Sequence, residues 1–288
     1  MESEKTYFYP VLSDYDFGWF RLSGPGLANC MFVAARAYIL SRRENAGYIS
    51  PTWTKLSPGT FLRREKDKRV YFKIFNELGI SGFKKIRLLL AEKLRPGFRR
   101  VKQVRGMGEY FDDLNEHMDL VHEFIEKITR EEIIENVRPE ALKDCIAIHV
   151  RLGDYSPEMR VDILWYVNLV KEILSIRPSQ QFLLFSDGSD EELRELLALS
   201  NTRRAFYGNA YADMYAISKC KWVIASDSTF SAWGAFMGER PILFNKRHFK
   251  RVFRNRVPEA VLGDSTRIPD EFKTCLLYTS DAADDRIS

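Results

Sequence analysis

The chain has 288 residues, 45% of them hydrophobic and 29% charged, enough apolar material for a substantial core in one large or two modest domains. Its 44 Lys and Arg against 40 Asp and Glu leave a net charge of +4, too mild a balance for a dedicated nucleic-acid binder.

The opening residues, Met1 to Lys5, lack a basic segment followed by an apolar one, so no signal peptide is expected. Phe17 to Leu22 reads as a first strand, Gly24, Pro25 and Gly26 as a turn, and Asn29 to Ser41 as a helix, together one α/β unit. The longest apolar stretch, Leu27 to Leu40, is interrupted by Asn29 and Arg36 and is too short to span a bilayer. A soluble or peripheral protein is expected, in the cytoplasm or on the inner face of its membrane. Residues 51–112 are irregular. Within them, Ser81 to Arg105 carries nine Lys or Arg and one acid, Glu92. That stretch has two readings. It is a solvated face on a helix such as Lys84 to Leu94. Or it meets anionic lipid, or the phosphate of a lipid-linked ligand, with Leu88, Leu89, Leu90 and Leu94 as an apolar face and Arg99, Arg100, Lys102 and Arg105 as a patch after the Pro96-Gly97 turn. Regular aromatic interleaving is missing, which argues against nucleic acid. Leu114 to Asn136 repeats Leu120, Phe124 and Ile128 at helical spacing and predicts one long amphipathic helix closed by Pro139.

From Cys145 onward, strands at 145–151, 181–185, 204–207, 222–225 and 241–244 alternate with helices near 162–176, 190–199, 211–219 and 231–238. Such alternation predicts a doubly wound parallel sheet after about residue 140. Thr274 to Ser288 shows no periodicity tied to the fold. It resembles translated adapter DNA and is expected to be a non-native tail. The four cysteines, Cys30, Cys145, Cys220 and Cys275, lack CxxC spacing and read as thiols in a reducing compartment. The four histidines show no zinc-type arrangement, so no metal is expected.

Three strand ends stand out. In His149-Val150-Arg151-Leu152-Gly153-Asp154-Tyr155, strand alternation puts His149 and Arg151 on one face, Gly153 allows a sharp turn, and Asp154 lies just beyond. Ligands bind off the carboxyl ends of strands in open α/β sheets, and an arginine fork there suits phosphate. The alternative is an ordinary strand end with a surface arginine. Trp222 to Ala225 is followed by Ser226-Asp227-Ser228-Thr229-Phe230-Ser231 and then a helix. Hydroxyls and N–H groups at a helix start favour an anion, although they also make a plain N-cap. Ser186-Asp187-Gly188 ends a third strand and reads as a site or as a turn into the acidic helix that follows. No G-x-G-x-x-G follows a strand, which argues against a nicotinamide enzyme.

The first of these strings resembles the HxRRxD-type signature of α-1,2- and α-1,6-fucosyltransferases. Phe185-Ser186-Asp187 resembles their second motif. Residues 212–220 and 224–235 resemble the third, which usually ends in Asn-Ser-Thr-Phe-Ser-Trp-Trp-Gly. Gly26-Leu27-Ala28-Asn29-Cys30-Met31-Phe32 is similar to the Gly-Leu-Gly-Asn-Gln-Met-Phe opening of glycosyltransferase family 11. The four motifs occur in order between Arg21 and Phe244. The chain departs from them at Leu152, Ala28, Cys30, Asp227 and Ala232, which bears on the exact sugar and linkage more than on the class of reaction.

The resemblance implies a GT-B-like α/β fold of two facing Rossmann-like domains: an acceptor-side domain over 1–140, and a doubly wound nucleotide-sugar domain over 141–273 ahead of the 274–288 tail. It implies metal-independent, inverting transfer of fucose from GDP-fucose to a galactoside hydroxyl in α-1,2 linkage, in surface glycan or O-antigen synthesis. The partners implied are a GDP-sugar donor and a glycan acceptor that is free or lipid-linked, without a bound cofactor; the basic stretch adds peripheral contact with an anionic membrane as an expectation, and nucleic acid is not expected. Arg151 and the Ser228-Thr229-Phe230 turn would meet the donor diphosphate. Asp187 would hold guanine or ribose, because a carboxylate accepts from N–H and O–H donors. Asn29 would orient donor or acceptor, or cap its helix. Asp154 would be the base or the partner of Arg151, and His149 a catalytic or a buried structural group. A binding-only relative, or a transferase using another sugar nucleotide, remains the alternative.

Overall fold

The computed structural model describes residues 6–56, 70–95, 101–153, 155–254 and 256–277. The chain divides into two units, Met1–Ile133 and Ile134–Ser288.

In the N-terminal unit the first strand is Tyr7–Pro10 (β1), upstream of the expected one. Of Phe17 to Leu22 only Arg21–Leu22 (β3) is strand. Gly18 has φ +85° and donates its N–H to Asp16 Oδ1 (2.8 Å), which turns the chain after Tyr15–Asp16 (β2). The helix α1 spans Leu27–Arg43 with Gly26 at its N-cap, so Asn29 lies inside the first turn and does not cap it. Gly47–Tyr48 (β4), Lys55–Leu56 (β5), Gly82–Leu94 (α2) and Val101–Val104 (β6) follow. One sheet has the order β4-β1-β6, all parallel; a second has the order β2-β3-β5.

The long helix expected over 114–136 is three shorter ones: Phe111–Asn115 (α3), Met118–Ile128 (α4) and Glu131–Ile134 (α5). The break after Ile128 has a cause in the tertiary structure. Thr129 leaves the helical region (ψ 127°) and bridges Phe75, while Asn76 donates to the Ile128 and Thr129 carbonyls (2.8 and 2.9 Å). Those groups offer the backbone bonds that a continued helix would have made.

In the C-terminal unit, β7 (Ile146–Val150), β8 (Phe182–Ser186), β9 (Thr202–Arg204), β10 (Trp222–Ala225), β11 (Ile242–Phe244) and β12 (Glu259–Val261) form one sheet, ordered β12-β11-β10-β7-β8-β9 and parallel at every pairing. β9 ends earlier than the expected 204–207, because its ladder with β8 stops at Leu184↔Arg204. β12 carries no apolar run and was not expected. The helices are α6 (Ile163–Ile176), α7 (Arg194–Leu197), α8 (Ala210–Lys219), α9 (Thr229–Gly238) and α10 (Asp270–Leu277). The acidic helix expected over 190–199 is the single turn α7. Asp162 and Asn209 cap α6 and α8 by accepting the N–H of Leu164 and Ala212.

Helix α10 corrects the exclusion of everything after Thr274. Phe272 and Leu276, one turn apart, are both fully buried, Phe272 against Trp222, and the Leu276 carbonyl accepts from Arg177 Nη1 (2.8 Å). Thr274 to Leu277 therefore belong to the fold, and the remainder of the expected tail lies outside the described residues. No described helix is long and apolar enough to cross a membrane.

Candidate functional site

Because the sheet is parallel, every strand of the C-terminal unit ends on the same edge. The chain runs outward from β7 through β8 to β9, then returns to the other side of β7 with β10. The crevice between the carboxyl ends of β7 and β10 is thus the topological switch point, the usual ligand position in such sheets. Register places Ala225 beside His149 and Ser186 beside Val150, so the three strand ends singled out in the sequence are neighbours.

At this edge Arg151 Nη1 lies 2.5 Å from Asp187 Oδ2, each side chain about one-fifth exposed (22%). Asp187 Oδ1 also accepts the backbone N–H of Leu152 (2.9 Å) and Gly153 (3.1 Å). Burial pushes the Asp187 carboxyl up, but Arg151 and the two N–H groups outweigh it and hold the carboxyl below its ordinary range. Gly153 is required for space: a Cβ there would come within 2.5 Å of Asp187 Oδ2. Arg151 on one oxygen and two backbone N–H groups on the other fix the orientation of the carboxylate. The Arg151 guanidinium stands 5.7 Å from the Tyr155 ring centroid, and Tyr155 donates to the Asp227 carbonyl (2.7 Å), tying the β7 loop to the β10 loop. Leu152, where the motif this string resembles has a second arginine, is buried in the core.

The start of α9 forms the other wall. Ser228 is its N-cap, accepting from Phe230 N (3.3 Å), with Thr229 as the first helical residue. Asp227 does not cap: its carboxylate accepts the backbone N–H of His248 (2.9 Å) and lies 2.5 Å from His248 Nδ1. His149 is buried, its Nδ1 3.2 Å from Ser231 Oγ and its ring 5.1 Å from that of Phe230. Burial lowers its pKa to about 4, with Asp187 opposing and Arg151 adding to the shift. It is a neutral imidazole that ties β7 to α9.

The C-terminal unit therefore brings together His149, Arg151, Asp187, Ser228, Thr229 and Phe230. Asn29 lies in the N-terminal unit, half-buried in the first turn of α1. Asp154 lies outside the described residues. Tyr155 and His248 were missed as site residues, as was Arg247, which pairs with Glu259 and approaches the Phe244 and Phe249 rings. The strand-end rule applied to β11 would have found the last two.

The N-terminal unit holds a cavity of about 410 Å³, walled by Trp19, Trp53, Tyr71, Phe72 and Phe75 and edged by Glu77. Lys85 reaches it from α2, almost fully buried, donating to Thr52 Oγ1 (2.8 Å). Burial lowers the Lys85 pKa to about 8 against the opposing charges of Asp16 and Glu77. Among the described residues Ser50 Oγ and Trp53 Nε1, on the same wall, are buried without a hydrogen-bond partner. Tyr71 and Lys73 at this cavity both take positive φ, the kind of backbone strain that gathers at binding sites. Sequence periodicity could not show this cavity, because its lining comes from five separate segments between Gly18 and Arg130.

The model of the family described as Glycosyl transferase family 11 matches residues 75–244, more than half of the chain. No curated protein sequence matches. Among solved structures, the fucosyltransferase NodZ from Bradyrhizobium is similar at 14% identity, over 83% of this chain and 94% of that one, with a TM-score of 0.50. NodZ, an alpha-1,6-fucosyltransferase, soaked with GDP-fucose aligns at 14% identity over 83% and 94%, TM-score 0.49. Arabidopsis thaliana FUT1 in complex with GDP aligns at 11% identity over 88% and 73%, TM-score 0.49. At these identities the likeness is one of fold, a GT-B-like α/β architecture.

Proposed function

The chain belongs to glycosyl transferase family 11, and from that premise we propose that it moves fucose from GDP-fucose to a galactoside hydroxyl in α-1,2 linkage, with inversion, in the assembly of a surface glycan. The observation that carries the donor half is the switch-point crevice, where the Arg151 fork and the capped start of α9 face one another. An acceptor oxygen bonds to the anomeric carbon, the bond from that carbon to the β-phosphate oxygen breaks, and GDP leaves carrying the electron pair. The negative charge that grows on the diphosphate is met by donors already held in place: Arg151, fixed by Asp187, and the hydroxyls and N–H groups at Ser228 and Thr229. Asp187 is assigned to guanine or ribose on its chemistry, since a carboxylate accepts from N–H and O–H donors.

The acceptor hydroxyl must lose its proton. We assign that step to Asp154, since His149 is buried with Nδ1 committed to Ser231 and better suited to positioning α9. For the acceptor itself we assign the N-terminal cavity. Its volume falls within the roughly 300–1000 Å³ of ligand sites. Aromatic walls suit the C–H faces of a sugar, while Lys85, Glu77 and Asn76 offer partners to its hydroxyls.

Calorimetry with GDP and with guanosine tests the donor assignment. Replacing Ser228 and Thr229 by alanine should weaken GDP binding about tenfold or more and leave guanosine binding nearly unchanged, since the lost contacts are to phosphate. Equal loss for both ligands would move these residues away from the diphosphate.

A further inference from the structure

Helix α2 has two apolar faces, and only one is covered. Leu88 and Leu89 pack inward against the cluster of Tyr9, Val11, Ile49 and Val101. On the opposite side Phe83 (78% exposed), Leu90 (53%) and Leu94 (79%) stand in water. With Arg87 they fall at spacings of three and four residues, a single stripe along the helix. Arg87 within the stripe and Lys84, Lys93 and Arg95 beside it are all exposed, and among the described residues none of these four side chains has an ion-pair or hydrogen-bond partner. Glu92, the helix's acid, is half-buried on the other side. The ridge continues beyond the helix. Gly18 lies against Ile86 and Leu89, and its neighbours Phe17 (56%) and Trp19 (64%) are exposed beside them.

Of the surface expected from the sequence, Leu90 and Leu94 belong to this ridge, while Leu88 and Leu89 pack inward and the basic patch after the helix is not part of it. Lys102 is paired with Glu44 (2.6 Å) and Arg105 with Asp14 (2.8 Å), so their charges are answered within the unit. Arg99 and Arg100 lie outside the described residues.

We propose that the outer face of α2 docks the protein on an anionic membrane surface, with Phe83, Leu90 and Leu94 entering the headgroup boundary and the four basic residues meeting acidic lipid. An exposed apolar ridge marks an interaction site, and a ridge of Phe, Leu and Trp bordered by Lys and Arg is the composition of a helix lying in a bilayer interface. The charges choose the lipid. They carry one sign, are unpaired, and lie within and beside the stripe, as a flat negative surface requires. The inference goes beyond the transfer reaction, with one link to it. Gly82 and Lys85 in the first turn of α2 line the cavity. Docking would hold that cavity within about one helix diameter, ~10–12 Å, of the lipid, where a lipid-linked acceptor would present its sugar.

Flotation of the full chain with phosphatidylcholine vesicles, with and without phosphatidylglycerol, tests the proposal. The expected result is binding to the anionic vesicles that weakens as salt rises. Each basic residue near such a surface contributes about a fivefold gain in partitioning. Lys84→Gln, Arg87→Gln and Lys93→Gln together should therefore weaken binding on the order of a hundredfold. Phe83→Ser with Leu94→Ser should remove the binding that survives high salt. Both variants alter exposed side chains, so circular dichroism and GDP affinity should be unchanged; that readout keeps failure of the docking face distinct from failure of the donor site. Equal partition onto neutral and anionic vesicles would overturn the proposal, as would undiminished binding by the triple variant. So would binding to polyglutamate as tight as to vesicles and indifferent to the Ser substitutions.

Discussion

Arg151 owes its geometry to Asp187, and Asp187 owes its place to the missing side chain of Gly153. A lysine at 151 would keep the charge and lose the planar fork that reaches a carboxylate and a phosphate together. Arg151→Lys should lower kcat on the order of a hundredfold, with stability changed by less than about 1 kcal/mol, because Asp187 keeps its two backbone donors. Assays with GDP-fucose beside a thermal melt check both halves; near-normal transfer would remove Arg151 from the donor site. His149 makes a pH prediction. Its folded-state pKa of about 4 lies below the ordinary 6.5. Between these values the unfolded chain takes up a proton that the folded chain refuses, so stability falls as the pH drops from about 6.5 toward 4. The loss should reach a few kcal/mol. Urea unfolding at neutral and mildly acidic pH should show it, and His149→Gln should flatten the dependence. An unchanged slope in that variant would assign the acid sensitivity to other groups.

At the scale of elements, the donor wall depends on how closely α9 crosses α8. A Cβ on Gly234 would sit 2.5 Å from Ile217 Cγ2, and Ile217 is fully buried and cannot move aside. Gly234→Ala should therefore cost about 1–3 kcal/mol and displace the Ser228 cap at the other end of the helix. Denaturant unfolding and GDP calorimetry on the same variant should move together. Lost stability with full GDP affinity would show that the start of α9 is held by the β10 loop alone. That loop has its own ties, through Tyr155 to the Asp227 carbonyl and through His248 to the Asp227 carboxylate. Asp227, which replaces the family's asparagine, has its carboxylate turned toward His248, so phosphate at the proposed Ser228-Thr229 site would not meet it head-on.

For the whole molecule, the crevice between the carboxyl ends of β7 and β10 draws its positive character from Arg151 and a helix start. Among the described residues no three His, Cys, Asp or Glu gather as a metal group would. On the proposal that Arg151 and the start of α9 meet the diphosphate, transfer should survive EDTA unchanged. Loss of activity on chelation, restored by Mg²⁺ or Mn²⁺, would show that the diphosphate needs a cation these residues do not replace. The mild net charge of +4 hides a local asymmetry, since the unpaired bases of α2 stand together while Lys102 and Arg105 are neutralised by neighbours.

The C-terminal unit was legible in the chain because its signals are local. Buried parallel strands such as Ile146–Val150 and Trp222–Ala225 are short apolar runs. Each ends in residues of unusual chemistry, and parallel pairing puts all those ends on one edge. The family resemblance was legible for the same reason, its motifs being contiguous strings at strand ends. What the chain did not reveal depends on partners distant in sequence. Thr129 breaks a helix that periodicity predicts because Phe75 and Asn76 take its bonds. β12 is a strand because β11 offers an edge, and Leu276 is buried because Arg177 and Trp222 receive its helix. Leu88 and Leu90 look alike in sequence, yet one packs against the cluster of Tyr9, Val11, Ile49 and Val101 while the other faces water. Burial, ion pairing and free hydrogen-bond capacity are properties of three-dimensional neighbourhoods. They separate a core leucine from an exposed one, and a neutralised arginine from one without an ion-pair partner, and no linear spacing encodes them.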